Sequence, residues 1–271
     1  MILSFGCGQS EPAQMEGPPK EVSTVDSVPE DQRFITFDGL EIAYKDSGEG
    51  PPVILLHGFI NSAKSWDKSV LKEQLLTAGY RVIVPDLRGN GNSAKPQNPA
   101  AYADDAEVKD IIALADHLRL DQYTAIGYSR GSIVLANLLT KDDRVTKAVI
   151  GGMGYDFTNQ DWPRRKMFAL AFDGETNEET QGAVDYAKSI GADLRSLHLQ
   201  QEYQPVTSPD ALRKVSIPIL VIVGNEDKDN GDPGKLERLF PEGKLAIVPG
   251  DHNNTYKSAV FAVAVMAFVK K

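Results

Sequence analysis

Short apolar runs alternate with longer segments of helical periodicity over most of the chain. Strands are predicted over residues 33–37, 40–44, 52–56, 80–84, 123–126, 147–150, 217–223 and 245–248. Helices are predicted over residues 66–78, 103–120 and 255–269. Continuous apolar strands separated by helices indicate an α/β fold with a mostly parallel sheet covered on both faces. In such sheets ligands bind at the carboxyl ends of the strands.

Two helices carry enough apolar residues to predict which face is buried. The helix over 103–120 has five on one face: Val108, Ile111, Ile112, Ala115 and Leu118. For the last helix, the residues expected to pack against the sheet are Val260, Phe261, Val263, Ala264 and Phe268. The dipeptide Asp38-Gly39 between the first two strands is a hairpin turn signal.

The alternation of strands and helices is interrupted over residues 155–209. This segment holds helical pieces over 162–172, 178–190 and 193–203 and no predicted strand. We expect a helical cap there, inserted into a core formed by residues 33–154 and 210–271. A cap would shape a substrate pocket and exclude water. The alternative is a helical excursion without a gating role.

The first 32 residues differ from the rest. Residues 9–31 are rich in Pro, Glu, Ser and Gln without hydrophobic periodicity, which predicts a disordered leader or tether. A short apolar stretch precedes Cys7, as in a truncated bacterial lipoprotein signal. Two localisations stay open: cytoplasmic, or exported and lipid-anchored through Cys7.

Composition narrows the functional classes. A chain of 271 residues suits one large α/β domain. Its formal net charge of −9 argues against nucleic acid as a partner. No apolar run reaches the roughly 18 residues of a membrane-spanning helix. A single cysteine excludes a disulfide framework and a cysteine-rich metal site. The oligomeric state stays open.

The pentapeptide Gly-Tyr-Ser-Arg-Gly over residues 127–131 carries the strongest functional signal. It lies between a predicted strand and a helical run, so Ser129 would sit on a sharp strand-to-helix turn with its hydroxyl exposed. Such a turn crowds the backbone at Gly127 and Gly131, where glycine brings no side chain. The following helix N-terminus favours developing negative charge.

A serine hydroxyl needs a base, and the base needs an orienting acid. Of four histidines, His252 follows the last strand and would lie at the same sheet edge as Ser129. Asp227 follows the preceding strand and is the preferred acid. Spacing alone leaves Glu226 and Asp229 as competitors. No metal ligand set is predicted.

Acyl transfer also requires hydrogen-bond donors for an oxyanion. His57-Gly58-Phe59 follows an early strand, so the backbone N–H of Phe59 could act together with that of Arg130. His57 would then organise the loop.

Together these motifs resemble the α/β-hydrolase family, in its capped esterase and lipase type. The resemblance spans residues 33–271 and includes the segment Asp86-Leu87-Arg88-Gly89-Asn90-Gly91-Asn92-Ser93. It implies a catalytic triad of Ser129, Asp227 and His252 without a metal or cofactor. One departure is Asp251, before the histidine, where the family usually has a small residue.

The resemblance implies hydrolysis of small-molecule carboxylic esters with small to medium acyl chains. Alternatives with the same triad are a cofactor-free perhydrolase of haloperoxidase type, a lactonase, an amidase or a carbon–carbon bond hydrolase. Serine at position 129 disfavours epoxide hydrolases and haloalkane dehalogenases, which usually have aspartate there. A non-catalytic ligand-binding protein is the alternative from another class.

Overall fold

The structure, a computed structural model, describes residues 1–2 and 32–270. Cys7 and nearly all of the predicted leader lie outside the described residues. The described residues form an eight-stranded sheet in the order β1-β2-β4-β3-β5-β6-β7-β8. Its strands are β1 (Gln32–Ile35), β2 (Glu41–Ser47), β3 (Pro52–Leu56), β4 (Arg81–Pro85), β5 (Tyr123–Tyr128), β6 (Val145–Gly151), β7 (Ile219–Gly224) and β8 (Gly243–Val248).

Strand direction divides this sheet into two parts. Strand β2 pairs antiparallel with both β1 and β4, whereas β3 to β8 are mutually parallel. The parallel strands are apolar on both faces because helices cover both sides, and every residue of β7 is buried. The predicted mostly parallel α/β architecture is therefore confirmed.

Helices cover the two faces in separate groups. Their bounds are α1 (Val70–Thr77), α2 (Ala106–His117), α3 (Arg130–Leu138), α4 (Pro163–Phe172), α5 (Glu178–Ser189), α6 (Leu194–Glu202), α7 (Pro209–Leu212), α8 (Pro233–Glu237) and α9 (Ala259–Val269). Helices α1 and α9 pack with one face of the sheet, and α2, α3 and α8 pack with the other. The central strands, whose carboxyl ends precede the catalytic candidates, are thus packed between two layers of helices.

The helices begin later than the apolar periodicity predicts. Residues 66–78 form the end of a 3₁₀ turn and then α1, because the Ser69 side chain accepts a hydrogen bond from the Leu71 N–H and caps the helix. Ser258 caps α9 in the same way through the Phe261 N–H. Side-chain caps, which periodicity does not register, therefore set these starts.

The predicted buried face of α9 is wrong at two positions. Val260 and Val263 are 50% and 61% exposed, whereas Phe261 and Phe268 are buried as expected. This helix is apolar on all sides, so its sequence pattern does not distinguish the face that the sheet covers. The buried face instead follows Phe261, Ala262, Val265, Met266, Phe268 and Val269.

Helices α4, α5 and α6, which we call the inserted helices, occupy residues 163–202 between β6 and β7. They have a small apolar cluster of their own, which includes Phe172, Val184 and Leu197. Ile60, from the loop after β3, belongs to the same cluster. The inserted helices therefore pack onto a loop at the carboxyl edge of the sheet. The division into core and cap stays a prediction.

Candidate active site

Ser129 lies on a strained turn between β5 and α3. Its backbone has φ +53° and ψ −121°, a region that residues other than glycine rarely adopt. A Cβ atom at Gly127 would lie 2.4 Å from the carbonyl oxygen of Gly131, and one at Gly131 would lie 2.3 Å from the carbonyl oxygen of Leu56. The turn therefore requires glycine on both sides of the serine.

The strand register brings two further loops to the same edge. Gly224 at the end of β7 is paired with Val248 at the end of β8, so the loops that follow them emerge side by side. These loops carry Asp227 and His252. The pairing of these neighbouring parallel strands thus brings Asp227 and His252, which are distant in the sequence, to the same place.

The three predicted triad residues lie within hydrogen-bond distance of one another. His252 Nε2 is 2.9 Å from Ser129 Oγ, and His252 Nδ1 is 2.7 Å from Asp227 Oδ2. The Asp227 carboxylate is almost fully buried, whereas the His252 ring is 28% exposed. In this arrangement Nδ1–H donates to the carboxylate, which leaves Nε2 free to accept the serine proton.

The structure distinguishes the three candidate acids. Only Asp227 among them hydrogen-bonds His252 within the described part of the chain. Glu226 and Asp229 are both exposed. Asn230, which the sequence analysis missed, is buried and donates through Nδ2 to the second oxygen of Asp227, at 2.9 Å. No sequence pattern distinguishes this asparagine from its neighbours.

Asp251 interacts with its own loop. Its side chain accepts hydrogen bonds from the N–H groups of Asn253 and Asn254, at 2.8 and 2.9 Å, and from the Asn254 amide. The hydrogen bond from the Asn254 side chain, followed by those from the backbone, lowers the pKa of Asp251. This carboxylate therefore stabilises the turn that presents His252.

The two predicted oxyanion donors lie beside the serine, Phe59 in the loop after β3 and Arg130 at the start of α3. Strand β3 pairs with β5, with Leu56 opposite Gly127, so the loop that carries Phe59 begins next to the serine turn. This loop lies close to the serine, because a Cβ atom at Gly58 would be 3.3 Å from Ser129 Cβ. The Arg130 N–H begins α3 and has no acceptor within that helix. Both N–H groups remain predicted donors.

His57 is buried and both ring nitrogens are engaged. Nδ1 is 2.8 Å from the carbonyl oxygen of Gly58, and Nε2 accepts a hydrogen bond from the Leu87 N–H at 3.0 Å. Burial lowers the pKa of His57, despite the opposing influence of Asp86, and this favours the neutral ring. The imidazole thus joins the loop after β3 to the loop after β4.

The segment over residues 86–93 braces these loops. Asp86 accepts hydrogen bonds from the N–H groups of Ala63 and Asn92, at 2.6 and 2.7 Å. Ser93 Oγ donates to the Asp86 carbonyl oxygen at 2.6 Å. Arg88 is buried and its guanidinium pairs with Asp110 at 2.6 Å. These contacts fit the structural role that the family resemblance implies.

Two residues inside the serine motif have contacts that the sequence analysis missed. The Tyr128 hydroxyl donates to the carbonyl oxygen of His252 at 2.8 Å and therefore holds the histidine loop. The Arg130 side chain is buried, pairs with Glu107 of α2 and donates to the carbonyl oxygen of Gln200 in α6 at 2.7 Å. The latter connects the serine turn to the inserted helices.

A cavity of about 640 Å³ lies between the sheet edge and the inserted helices. Ser129 and His252 both line it. Its other lining residues are Gly58, Phe59, Ile60, Ile133, Met153, Trp162, Arg164, Arg165, Phe168, Tyr186, Gln201, Asp229, Asn230 and Lys257, among others. The volume and the mixed apolar and polar lining suit a small organic molecule.

Among residues 1–2 and 32–270, no cluster of three or more His, Cys, Asp or Glu side chains is arranged for a metal ion. None of the helices in the same residues is long and apolar enough to cross a membrane.

Comparison with known proteins decides the family. Residues 51–169 match the family described as alpha/beta hydrolase fold. The non-heme chloroperoxidase of Streptomyces lividans is 30% identical over 227 residues, which cover 71% of this chain and 81% of that protein. The chain belongs to the α/β-hydrolase family. The family resemblance of the ordered motifs is thus confirmed.

Other relatives match over shorter stretches. Epoxide hydrolase 2 of Siraitia grosvenorii is 36% identical over 117 residues, which cover 43% of this α/β-hydrolase. The matched stretch spans 36% of that relative's own length, and 40% of the length of a further relative from Synechocystis sp.. These matches do not transfer a whole protein's activity.

Solved structures are similar over nearly all of the described chain. The bromoperoxidase of Bacillus anthracis superimposes with a TM-score of 0.75 at 24% identity, covering 89% of this chain and 100% of that one. The esterase of Exiguobacterium antarcticum superimposes with a TM-score of 0.74 at 20% identity and the same coverage. At these identities the likeness establishes the fold alone.

Proposed function

We propose that this α/β-hydrolase is a serine hydrolase that cleaves carboxylic esters with small to medium acyl chains. The observation that carries the proposal is the continuous hydrogen-bonded series from Ser129 Oγ through His252 to Asp227, at 2.9 and 2.7 Å. Ser129 is partly exposed in the cavity, so a carbonyl carbon can approach its hydroxyl.

The first half of the reaction forms an acyl-enzyme. Ser129 Oγ attacks the ester carbonyl carbon while its proton passes to His252 Nε2. The resulting imidazolium is stabilised by the Asp227 carboxylate. His252 then donates the proton to the departing alcohol oxygen, and the carbon–oxygen bond of the ester breaks. Ser129 is left as an ester of the acyl group.

The second half releases the acid. Water attacks the acyl carbonyl as His252 Nε2 accepts its proton, and the proton then returns to Ser129 Oγ. In both halves the N–H groups of Phe59 and Arg130 would stabilise the tetrahedral oxyanion. Loss of one such donor costs about 10²- to 10³-fold in rate. These donors are backbone atoms, so side-chain substitution does not remove them.

The size of the cavity bears on chain length. A volume of about 640 Å³ lies well inside the range of small-molecule sites. Residues of the inserted helices line the cavity together with Ser129, and Phe168 and Phe172 contact the Phe59 ring edge-on, with ring centroids 6.2 and 5.2 Å apart. Because the cavity is of limited volume, we expect short and medium acyl chains to be preferred over long ones.

The test is hydrolysis of p-nitrophenyl esters from acetate to palmitate, with Ser129→Ala measured alongside. We expect the highest kcat/KM at short to medium chains and loss of turnover in the variant. Labelling with a fluorophosphonate probe should modify the wild-type protein and spare Ser129→Ala. Turnover that survives in the variant, or a folded protein inert to esters and probe, would contradict the proposal.

Perhydrolysis is a second candidate, favoured by the name of the Streptomyces lividans relative, non-heme chloroperoxidase. Hydrogen peroxide would replace water in attacking the acyl-enzyme, which releases a peroxycarboxylic acid and free Ser129. The released peracid could then oxidise a halide ion outside the site. The two candidates separate in the ratio of peracid to carboxylic acid formed from one ester at a fixed peroxide concentration.

A further inference from the structure

The first turn of α4 brings two arginines to the wall of the cavity. Arg164 and Arg165 both line it and both are partly buried. Neither forms an ion pair within 4 Å with a carboxylate of the described residues. The nearest acid in sequence, Asp161, is paired with Lys166 at 2.6 Å; this contact, and less strongly the charge of Arg165, lowers the pKa of Asp161. The Arg164 guanidinium lies over the Phe168 ring, 5.0 Å from its centroid.

Their position in the helix is electrostatically unfavourable. Helix α4 runs from Pro163 to Phe172 and has no acidic residue in its first turn. The N-terminal end of a helix carries partial positive charge, so cations in its first turn are disfavoured. Two arginines at this point therefore gain nothing from their own helix, and an anion in front of them would neutralise both the side chains and the helix end.

The remaining charges around the cavity do not balance the arginines. Lys257 lines the cavity beside the His252 loop and hydrogen-bonds the Asn254 side chain at 3.3 Å. Asp229 is the carboxylate that lines the cavity in the described chain, and it is exposed. The buried Arg130 guanidinium is already paired with Glu107. The cavity is thus cationic in a chain with net charge −9.

We propose that the preferred esters carry a second, free carboxylate, remote from the ester bond and bound by Arg164 and Arg165. This inference rests on the proposed esterase function and specifies its substrate class. Arginine presents paired N–H donors that match the geometry of a carboxylate, and such charge-assisted hydrogen bonds are stronger than neutral ones. Phe168 holds the Arg164 guanidinium in place by its ring face.

The test compares two esters that differ in charge and by one methyl group: mono-p-nitrophenyl adipate and its methyl ester, methyl p-nitrophenyl adipate. The leaving group and the chain are the same, so the ratio of their kcat/KM values reports recognition of the free carboxylate. We expect the charged ester to be preferred about tenfold, mainly through KM, and the preference to shrink as salt rises to about 0.5 M.

The variants Arg164→Gln and Arg165→Gln should each lower this ratio, and the double variant should bring it to about one. The ratio is taken within each variant, so a general effect of a substitution on turnover of both esters cancels. Lys166→Gln is the matched control, because Lys166 belongs to the same helix but pairs with Asp161 and does not line the cavity. Circular dichroism checks that each variant is folded.

Each failure has a distinct signature. If neither ester is hydrolysed, the proposed function falls and this inference falls with it. If both esters are hydrolysed with a ratio near one, or with the methyl ester preferred, the anionic substrate class alone is overturned. If the charged ester is preferred equally by the wild type and the double variant, the assignment to the two arginines is overturned.

Discussion

The sheet-edge loops and the inserted helices line the same cavity but are built differently. Around Ser129 the backbone is packed so closely that a Cβ atom at Gly127 would lie 2.4 Å from a carbonyl oxygen. In α5 a Cβ atom at Gly182, which also lines the cavity, would meet no atom within 4 Å. The backbone around Ser129 is thus tightly packed, whereas the position of Gly182 in the inserted helices has space for a larger side chain.

The sheet-edge loops and the inserted helices are expected to have different roles. The proposed reaction would depend on positions that the sheet determines, because the four segments concerned leave the carboxyl ends of parallel strands, with β3 beside β5 and β7 beside β8. Under the proposed carboxylate recognition, substrate selection would depend on side chains of the inserted helices, such as Arg164 and Arg165, which line the cavity. Substitutions in the core loops should therefore have larger effects on rate and stability than substitutions in the inserted helices.

The largest effect is expected from Asp227→Asn. The amide no longer stabilises the imidazolium and favours the wrong ring tautomer, so kcat should fall about 10⁴-fold. Glu226→Gln is the matched control, because Glu226 is exposed and its side chain makes no hydrogen bond to a described residue. Steady-state ester hydrolysis measures both. Equal losses in the two variants would contradict the assignment of the acid.

The next largest effect is expected on stability, from alanine substitutions at Gly127 and Gly182. Gly127→Ala should lower the free energy of unfolding by about 1–3 kcal/mol or more, because the new methyl group overlaps the Gly131 backbone. Gly182→Ala should raise it by about 0.5–1 kcal/mol, because alanine is the better helix former and the space is open. Urea unfolding of both variants measures the contrast. If Gly182→Ala also lowered the free energy of unfolding, the proposed contrast between the two regions would be wrong.

A pH-dependent effect should come from His57 in the core. Burial holds its folded-state pKa below the ordinary value of 6.5, so the unfolded chain binds a proton that the folded chain does not. This stability contribution is complete above pH 6.5 and is lost as the pH falls below it, by up to about 1.4 kcal/mol per pH unit. His57→Gln should flatten that part of the slope.

The measurement is urea unfolding of wild type and His57→Gln between about pH 7.5 and 5.5. His57→Gln should be less stable than wild type at the upper end, because both ring nitrogens of His57 are hydrogen-bonded. Parallel slopes for the two proteins would show that His57 does not carry the acid sensitivity.

The smallest effect is expected from Tyr128→Phe. The change removes the hydroxyl that donates to the His252 carbonyl oxygen at 2.8 Å and leaves the ring packed against Tyr256. A hydrogen bond of this kind contributes about 0.5–1.5 kcal/mol to stability. We expect kcat to fall several-fold as the histidine loop loosens, with KM little changed. An unaltered kcat would limit Tyr128 to a packing role.

The order of the motifs and the strand pattern were sufficient to predict most of the fold. Strand β3 coincides with its predicted range, and β7 and β8 lie within two residues of theirs, because buried parallel strands are continuous apolar runs bounded by turns. The glycines at 127 and 131 indicated the serine turn because the crowded backbone there has no space for a Cβ atom, and the structure has this crowding. Local sequence is informative wherever the constraint is local.

Some features were beyond the sequence because they depend on partners distant in the chain. Neither the role of Asn230 beside Asp227 nor the exposure of Val260 and Val263 follows from periodicity. Spacing alone left three acids open, and the tertiary structure brought one of them within 2.7 Å of the histidine.

The sequence by itself determined the α/β architecture, the serine turn and the candidate base, because hydrophobic period, glycine clearance and motif order are properties of neighbouring residues. Only the tertiary structure decided which acid meets His252 and which face of α9 is covered. It also decided that Arg164 and Arg165 line the cavity that holds Ser129. These outcomes depend on strand register and on the packing of inserted helices, which join residues far apart in the chain.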